Sequence, residues 1–379
     1  MDRAGDAFAR RFWDVLWEAD SLDARRNPES QRSAIARWKG RRQRDHLAGH
    51  LRRRRQGEVS QGFTTRLAGV TTRFEVSAVA PFRLDLSVWA LRRRPGNALD
   101  RWDGNTYRRA MRIGAALADV AVVQVGPPEA PRLEVAVTTD TAVDRGVVHT
   151  ETTTMLQRML GLELDLNDFY SSANRDPDLH ELMERFRGLK PPRFATLFEG
   201  LANAVACQQL ALTFGIELLN RFAATFGSPA PGPTGAHAFP EARDIAGLDQ
   251  DALRALGFSH QKSRALVEIA DRVEQGALCL EDITGLDDDG ATAALQTLRG
   301  IGRWSAEYVL LRGLGRVQIF PGDDVGARNN LQRRLGISTP LDYDGVRRIT
   351  TRWAPYSGLV YFHFLLAGID EAGWLDVET

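Results

Sequence analysis

Between Leu298 and Asp324 the chain reads LRGIGRWSAEYVLLRGLGRVQIFPGDD, and three kinds of chemistry lie within that stretch. The first is anion binding. Gly300 and Gly302 bracket Ile301 and permit a sharp turn, after which a helix is predicted from Arg303. The backbone N–H groups of Gly302, Arg303 and Trp304 then lie at a helix N-terminus, where unpaired donors and the helix dipole favour a phosphate. Such a clamp grips a nucleic-acid backbone without reading its sequence. A lone Gly-x-Gly would be a plain helix corner; the longer LxGIGxWSA pattern argues for more. The second is aromatic stacking. Trp304 and Tyr308 are spaced i, i+4 and share a helix face with Leu311. Pairs like this more often belong to a core, but this one starts at the turn itself. Aromatic faces stack a base drawn out of a duplex, and attract it further if it is cationic. The third is a carboxylate. A helix is predicted to start near Asp323, so that Asp323 serves as its cap and Asp324 falls in its first turn. An ionised carboxylate facing an aromatic pocket stabilises a cationic, sugar-like transition state.

These residues need rigid elements to position them. From about residue 168 the chain reads as nearly all helical. ATLFEGLANAVACQQLALTFGIELLNRFAATFG (195–227) shows one long apolar period ending at Gly227, and SPAPGPTGAHAFP is a loop. The last helical stretch, LDYDGVRRITTRWAPYSGLVYFHFLLAG, is interrupted near Pro355. Residues 66–167 predict a small α+β domain. TTRFEVSAVAPFRLDLSVWAL alternates as strands do, while VAVVQVG (120–126) and RLEVAVTTD (132–140) read as paired strands. RRAMRIGAALADV leaves strand and short helix both open, and VVHTETTTMLQRMLGLELDL turns helical. The fold class expected is therefore mainly α with an α+β N-terminal domain. Residues 1–65 are helix-prone but poorly patterned and read as a basic, partly disordered extension.

The motifs resemble those of the helix-hairpin-helix DNA glycosylase superfamily, and within it the DNA-3-methyladenine glycosylase II family. FEGLANAVACQQLAL (198–212), LRGIGRWSAEYVLLRGLG (298–315), FPGDDVG (320–326) and RWAPYSGLVYFHFLLA (352–367) carry the resemblance, in order, across about residues 170–375. The match is looser from about residue 70. The resemblance implies a helix-hairpin-helix glycosylase bundle over 168–379 with a small antiparallel-sheet domain before it. It implies that Asp324 is the catalytic carboxylate, with Asp323 its structural neighbour. Trp304 and Tyr308 would line the base pocket. Gly300, Gly302, Arg303 and Ser305 would form the DNA-binding hairpin, and carbonyls of Gly300 and Gly302 would hold a monovalent cation. Gln209 falls where the family places the residue that fills the vacated base stack; a cap or packing role is the plainer reading. No further cofactor is implied. The partner implied is double-stranded DNA containing a damaged base, met by a monomer in the cytoplasm, with no membrane involved.

Relatives that also nick the strand carry a Lys two residues after the second hairpin Gly. Trp304 stands there, so no Schiff base can form at that position. That favours a monofunctional hydrolase excising alkylated, 3-methyladenine-type bases in base excision repair. Two alternatives stay open: a glycosylase for deaminated or oxidised bases, and a protein that binds damaged DNA without cutting it. His363 reads as a pocket residue or as a satisfied core histidine. Leu365 stands where some relatives place another aromatic.

Composition fits this reading. The 379 residues are 43% apolar and 26% charged, ordinary for a globular protein. No run of about 18 apolar residues predicts a membrane span, and MDRAGDAFARRFWDVLWEAD lacks the apolar core of a secretory signal. Two cysteines, Cys207 and Cys279, cannot supply a disulfide framework or the four thiolates of an iron–sulfur cluster. Both are expected as buried free thiols. The net charge of zero is unevenly spread: residues 1–60 hold 15 Lys and Arg against 9 Asp and Glu. The basic excess lies in RWKGRRQR (37–44) and LRRRRQG (51–57), expected to be solvated or to add nonspecific affinity for a polyanion.

Overall fold

A computed structural model describes residues 69–232 and 234–375, all within one unit, Leu67–Thr379. The basic extension expected over 1–65, with its arginine-rich block, lies outside the described residues. Five strands form one antiparallel sheet in the order β1-β5-β4-β3-β2. They are β1 (Val70–Ser77), β2 (Arg101–Trp102), β3 (Thr106–Ile113), β4 (Ala116–Val125) and β5 (Arg132–Thr139). The two Val-rich stretches are β4 and β5, paired with Val122 opposite Val135. Ala118, Val120 and Val122 are buried while the residues between them are half-buried, so one sheet face meets the core. The ambiguous RRAMRIGAALADV is a hairpin: Ile113 pairs with Ala116, and Gly114 takes φ +57 at the turn.

The alternation in FRLDLSVWAL misleads. Leu84–Arg92 is a helix, α1, in which Leu84, Leu86, Val88, Trp89 and Leu91 are all buried. A helix buried on nearly every side has little polar face to reveal its period. It ends at Arg93, in the left-handed region at φ +62. Helix α2 (Arg145–Leu160) starts on an Asp144 side-chain cap and stops at Gly161.

The remainder is helical, as expected: α3 (Asn167–Ala173), α4 (His180–Arg185), α5 (Leu197–Cys207), α6 (Leu212–Phe226), α7 (Gln250–Arg254), α8 (His260–Glu274), α9 (Leu280–Thr284), α10 (Asp288–Gln296), α11 (Arg303–Val309), α12 (Val325–Arg334), α13 (Tyr343–Thr350) and α14 (Ser357–Glu371). The long apolar stretch at 195–227 is two helices, because Gln209 takes φ +51 and breaks the run without a Gly or Pro to announce it. The interruption near Pro355 is present between α13 and α14. Cys207 is half-buried; Cys279 is exposed, contrary to expectation, because it precedes α9 instead of lying within a helix. Among the described residues no helix is long and apolar enough to cross a membrane.

Two buried clusters organise the packing. One joins the sheet to α5, α8 and α10; the other gathers α14 with α1, α3 and α12. Leu310 belongs to the first and its neighbour Leu311 to the second, so the segment after the hairpin runs along their seam. An ion network also ties sheet to helix. Arg109 of β3 bonds both oxygens of Glu199 in the first turn of α5 at 2.6 Å and pairs with Asp100, which also accepts from the Tyr107 hydroxyl at 2.8 Å.

Candidate active site

The hairpin between α10 and α11 has unequal glycines. Gly300 takes φ +78, and a Cβ there would come within 3.0 Å of the Ala265 side chain. Gly302 is extended, at φ −91, and a Cβ on it would meet nothing within 4 Å. The chain itself does not require glycine at 302; its effect is to leave the entrance of α11 uncovered on the outside. The Gly302 carbonyl accepts the first helical bond, from the Ala306 N–H at 2.9 Å. The Gly300 carbonyl accepts from the Gln208 side-chain amide at 2.6 Å. Each oxygen expected to hold a cation thus already carries one donor and keeps a second lone pair. Among the described residues no group of three or more His, Cys, Asp and Glu could hold a metal.

The expected DNA-facing side chains divide. Arg303 is exposed; it bonds Asp323 at 2.7 Å and lies over the Tyr343 ring at 3.6 Å. Ser305 is buried and its hydroxyl is bonded to the same Gln208 amide at 2.6 Å, so its side chain serves the hairpin's inside. Gln208 escaped sequence analysis because it stands beside Gln209 in a helical-looking run. It bonds the hairpin to the α5–α6 loop, whose tip carries exposed Gln209. Lys262 of α8 holds the loop's other side, donating to the carbonyls of Ala206 at 3.0 Å and Gln208 at 2.6 Å. Its burial draws the ammonium pKa down to about 8.

The two aspartates are placed differently from expectation. Asp324, not Asp323, caps α12: its Oδ1 accepts the Ala327 N–H at 2.9 Å. The helix starts one residue late because Pro321-Gly322-Asp323 forms a turn, closed by Asp324 N–H onto the Pro321 carbonyl at 3.0 Å. Glu307 of α11 pins this turn by accepting the Gly322 N–H at 3.1 Å, and the Tyr343 hydroxyl donates to its other oxygen. Capping leaves Asp324 Oδ2 for the aromatic side. It accepts Trp304 Nε1–H at 3.2 Å and the Tyr361 hydroxyl at 3.3 Å. Tyr361, from α14, is the second site residue missed by sequence analysis: in the run LVYFHFLL nothing marks one apolar-flanked Tyr as facing a carboxylate.

Trp304 and Tyr308 stack, centroids 5.3 Å apart and planes 29° from parallel. Trp304 is half-buried, whereas Tyr308 is 3% exposed and lies behind it. The Tyr308 hydroxyl accepts from Arg93 at 2.7 Å, and Arg93 also bonds Asn203 at 2.8 Å. The Arg312 guanidinium is fully buried among the rings of Phe194, Phe362 and Tyr308, 5.1–5.7 Å from their centroids. Burial pushes the Tyr308 hydroxyl pKa up, so the phenol is neutral between these two cations.

His363 is a core residue. It is fully buried against Phe169, and its Nδ1 lies 2.8 Å from the Leu359 carbonyl. Burial lowers its pKa to about 4 from 6.5. Between those values the unfolded chain binds a proton that the folded chain refuses, so stability falls as pH drops from about 6.5 to about 4. The loss expected is about 3 kcal/mol. Denaturant titrations of His363→Gln and the parent at pH 7 and pH 4 check this; equal losses in the two would contradict it.

The fold and this site define a class. Residues 202–355 match the HhH-GPD superfamily base excision DNA repair protein family. A DNA-3-methyladenine glycosylase of Bacillus subtilis is 30% identical over 203 residues, covering 53% of this chain and 67% of that protein. The chain therefore belongs to the HhH-GPD superfamily. Within it, several of the similar proteins are named for 3-methyladenine. A 3-methyladenine DNA-glycosylase from Archaeoglobus fulgidus superposes with a TM-score of 0.66 at 25% identity, covering 79% of this chain and 98% of that one. DNA-3-methyladenine glycosylase 2 of Escherichia coli is 31% identical over 176 residues, 46% of this chain and 59% of that protein. A Clostridium acetobutylicum 8-oxoguanine glycosylase/lyase bound to DNA shares the fold, with a TM-score of 0.62 at 17% identity over 80% of this chain and 98% of that one.

Proposed function

We infer that this chain is a monofunctional DNA glycosylase that flips alkylated, 3-methyladenine-type bases out of duplex DNA and hydrolyses their N-glycosidic bond. The observation that carries the reading is the contact of Trp304 Nε1 with Asp324 Oδ2 at 3.2 Å, which joins a stacking surface to an acid at the hairpin. Residues 168–379 are read as the glycosylase domain and 66–167 as a supporting α+β domain. The chain acts as a monomer in the cytoplasm. The α11 N-terminus, left uncovered at Gly302, receives a backbone phosphate. Gln209, at its loop tip, enters the gap left by the flipped nucleotide. Trp304 stacks the damaged base, with Tyr308 as its backing. N-alkylation makes the purine cationic and weakens its bond to the sugar, and Asp324 stabilises the positive charge that grows on the sugar as the base leaves. A hairpin cation would share Gly300's carbonyl with the Gln208 amide, and no step needs it. Trp304 occupies the position of the lyase Lys, so the strand stays intact.

Release from otherwise identical duplexes carrying 3-methyladenine, hypoxanthine, uracil or 8-oxoguanine tests the substrate class. The alkylated base is expected to leave at least tenfold faster than the others. Faster release of a deaminated or oxidised base would overturn the assignment.

A further inference from the structure

Asp324 accepts three hydrogen bonds, and one comes from a residue that neither the hairpin helix nor the helix it caps supplies. Tyr361 reaches it from α14, the last helix described. The approach is built into the packing. Gly358 N–H bonds the Val317 carbonyl at 2.7 Å, and a Cβ on Gly358 would lie 2.6 Å from the Ile319 carbonyl and the Leu311 side chain. Only glycine lets the start of α14 lie so close to the segment that leads into Asp324. One turn later on the same face comes Tyr361. Phe320 and Phe362 meet its ring edge-on, both at 5.7 Å, and the side chain is 7% exposed. With its ring held this way, the hydroxyl lies 3.3 Å from Asp324 Oδ2, beside Trp304 Nε1.

We propose that Tyr361 is a positioning residue for base excision: its hydroxyl holds Asp324 Oδ2 in the orientation that stabilises the cationic sugar. The proposal rests on the glycosylase reading above. The donor is secure, because burial and the neighbouring carboxylate push the phenol pKa well above its ordinary value and keep the proton on its oxygen. A carboxylate offers about four acceptor sites. The Ala327 N–H takes one on Oδ1, and Trp304 and Tyr361 take those of Oδ2. Together these donors fix which way the carboxylate faces. Two walls of the site, α11 and α14, thereby converge on one oxygen.

Tyr361→Phe removes this one bond and keeps the ring. Three quantities are compared with the parent: single-turnover release of 3-methyladenine, affinity for duplex with a neutral tetrahydrofuran abasic site, and affinity for duplex with a cationic pyrrolidine abasic site. The variant is expected to release base about ten- to thirtyfold more slowly. Its tetrahydrofuran affinity should stay within twofold, while its pyrrolidine affinity falls by about the same factor as the rate. A merely structural role would weaken both analogues together, and that result overturns the proposal. An unchanged rate overturns it too, and leaves the glycosylase reading standing if the parent releases base. A parent that releases no base from any of the duplexes removes both.

Discussion

Asp324→Asn is expected to slow base release by about 10²- to 10³-fold while leaving the fold and DNA affinity nearly unchanged. The substitution separates the cap that the side chain supplies from the charge proposed to act on the sugar. Asn is as good an N-cap as Asp, so the bond from the Ala327 N–H to Oδ1 has a replacement, and α12 keeps its start. What disappears is the negative charge. In the ground state the sugar is neutral and loses little. In the transition state the sugar would carry positive charge beside the carboxylate that Trp304 and Tyr361 contact, and the loss would be felt there. Single-turnover release and thermal melting of the two proteins check the prediction. A rate within twofold of the parent would remove Asp324 from the chemistry. A matching loss of melting temperature would show that the cap, and not the charge, is what the substitution harms.

The largest stability effect is expected at Arg109. Its guanidinium is 2% exposed and lies between Asp100 and Glu199, themselves 4% and 2% exposed. Burial alone pushes the Glu199 carboxyl pKa upward, and Arg109 opposes that push. Arg109→Met fills similar space but leaves two buried acids facing each other without a cation. Such a loss costs about 3–5 kcal/mol. It reaches the site indirectly, because Glu199 lies in the first turn of α5 and α5 leads into the loop that presents Gln209. Adding Asp100→Asn and Glu199→Gln to Arg109→Met should restore part of the stability by removing the stranded charges. Urea unfolding of the single and triple variants measures this. A single variant within 1 kcal/mol of the parent would show that the network contributes little.

The hairpin, the aromatic pair and the acid were legible in the sequence because each depends on residue types at short spacing: Gly at a turn, aromatics one turn apart, Asp after Pro-Gly. The sheet was legible where Val alternated, and obscure at Leu84–Arg92, where a helix buried nearly all round shows no period. The break at Gln209 was hidden because a non-glycine residue in the left-handed region carries no signal of its own. The role of Tyr361 was hidden for another reason. It depends on Gly358 bringing two distant segments together, a matter of three-dimensional packing that spacing along the chain does not encode. The shift of the cap from Asp323 to Asp324 turned on one residue of helix start, the least readable property of any element.

The central claim is that this site removes a base and leaves the strand whole. Incubating the full chain with a duplex carrying one 3-methyladenine, then resolving free bases by chromatography and strands by gel, tests it most directly. The account predicts free 3-methyladenine and a strand that breaks only after alkali. No released base, or a strand already broken without alkali, would contradict it.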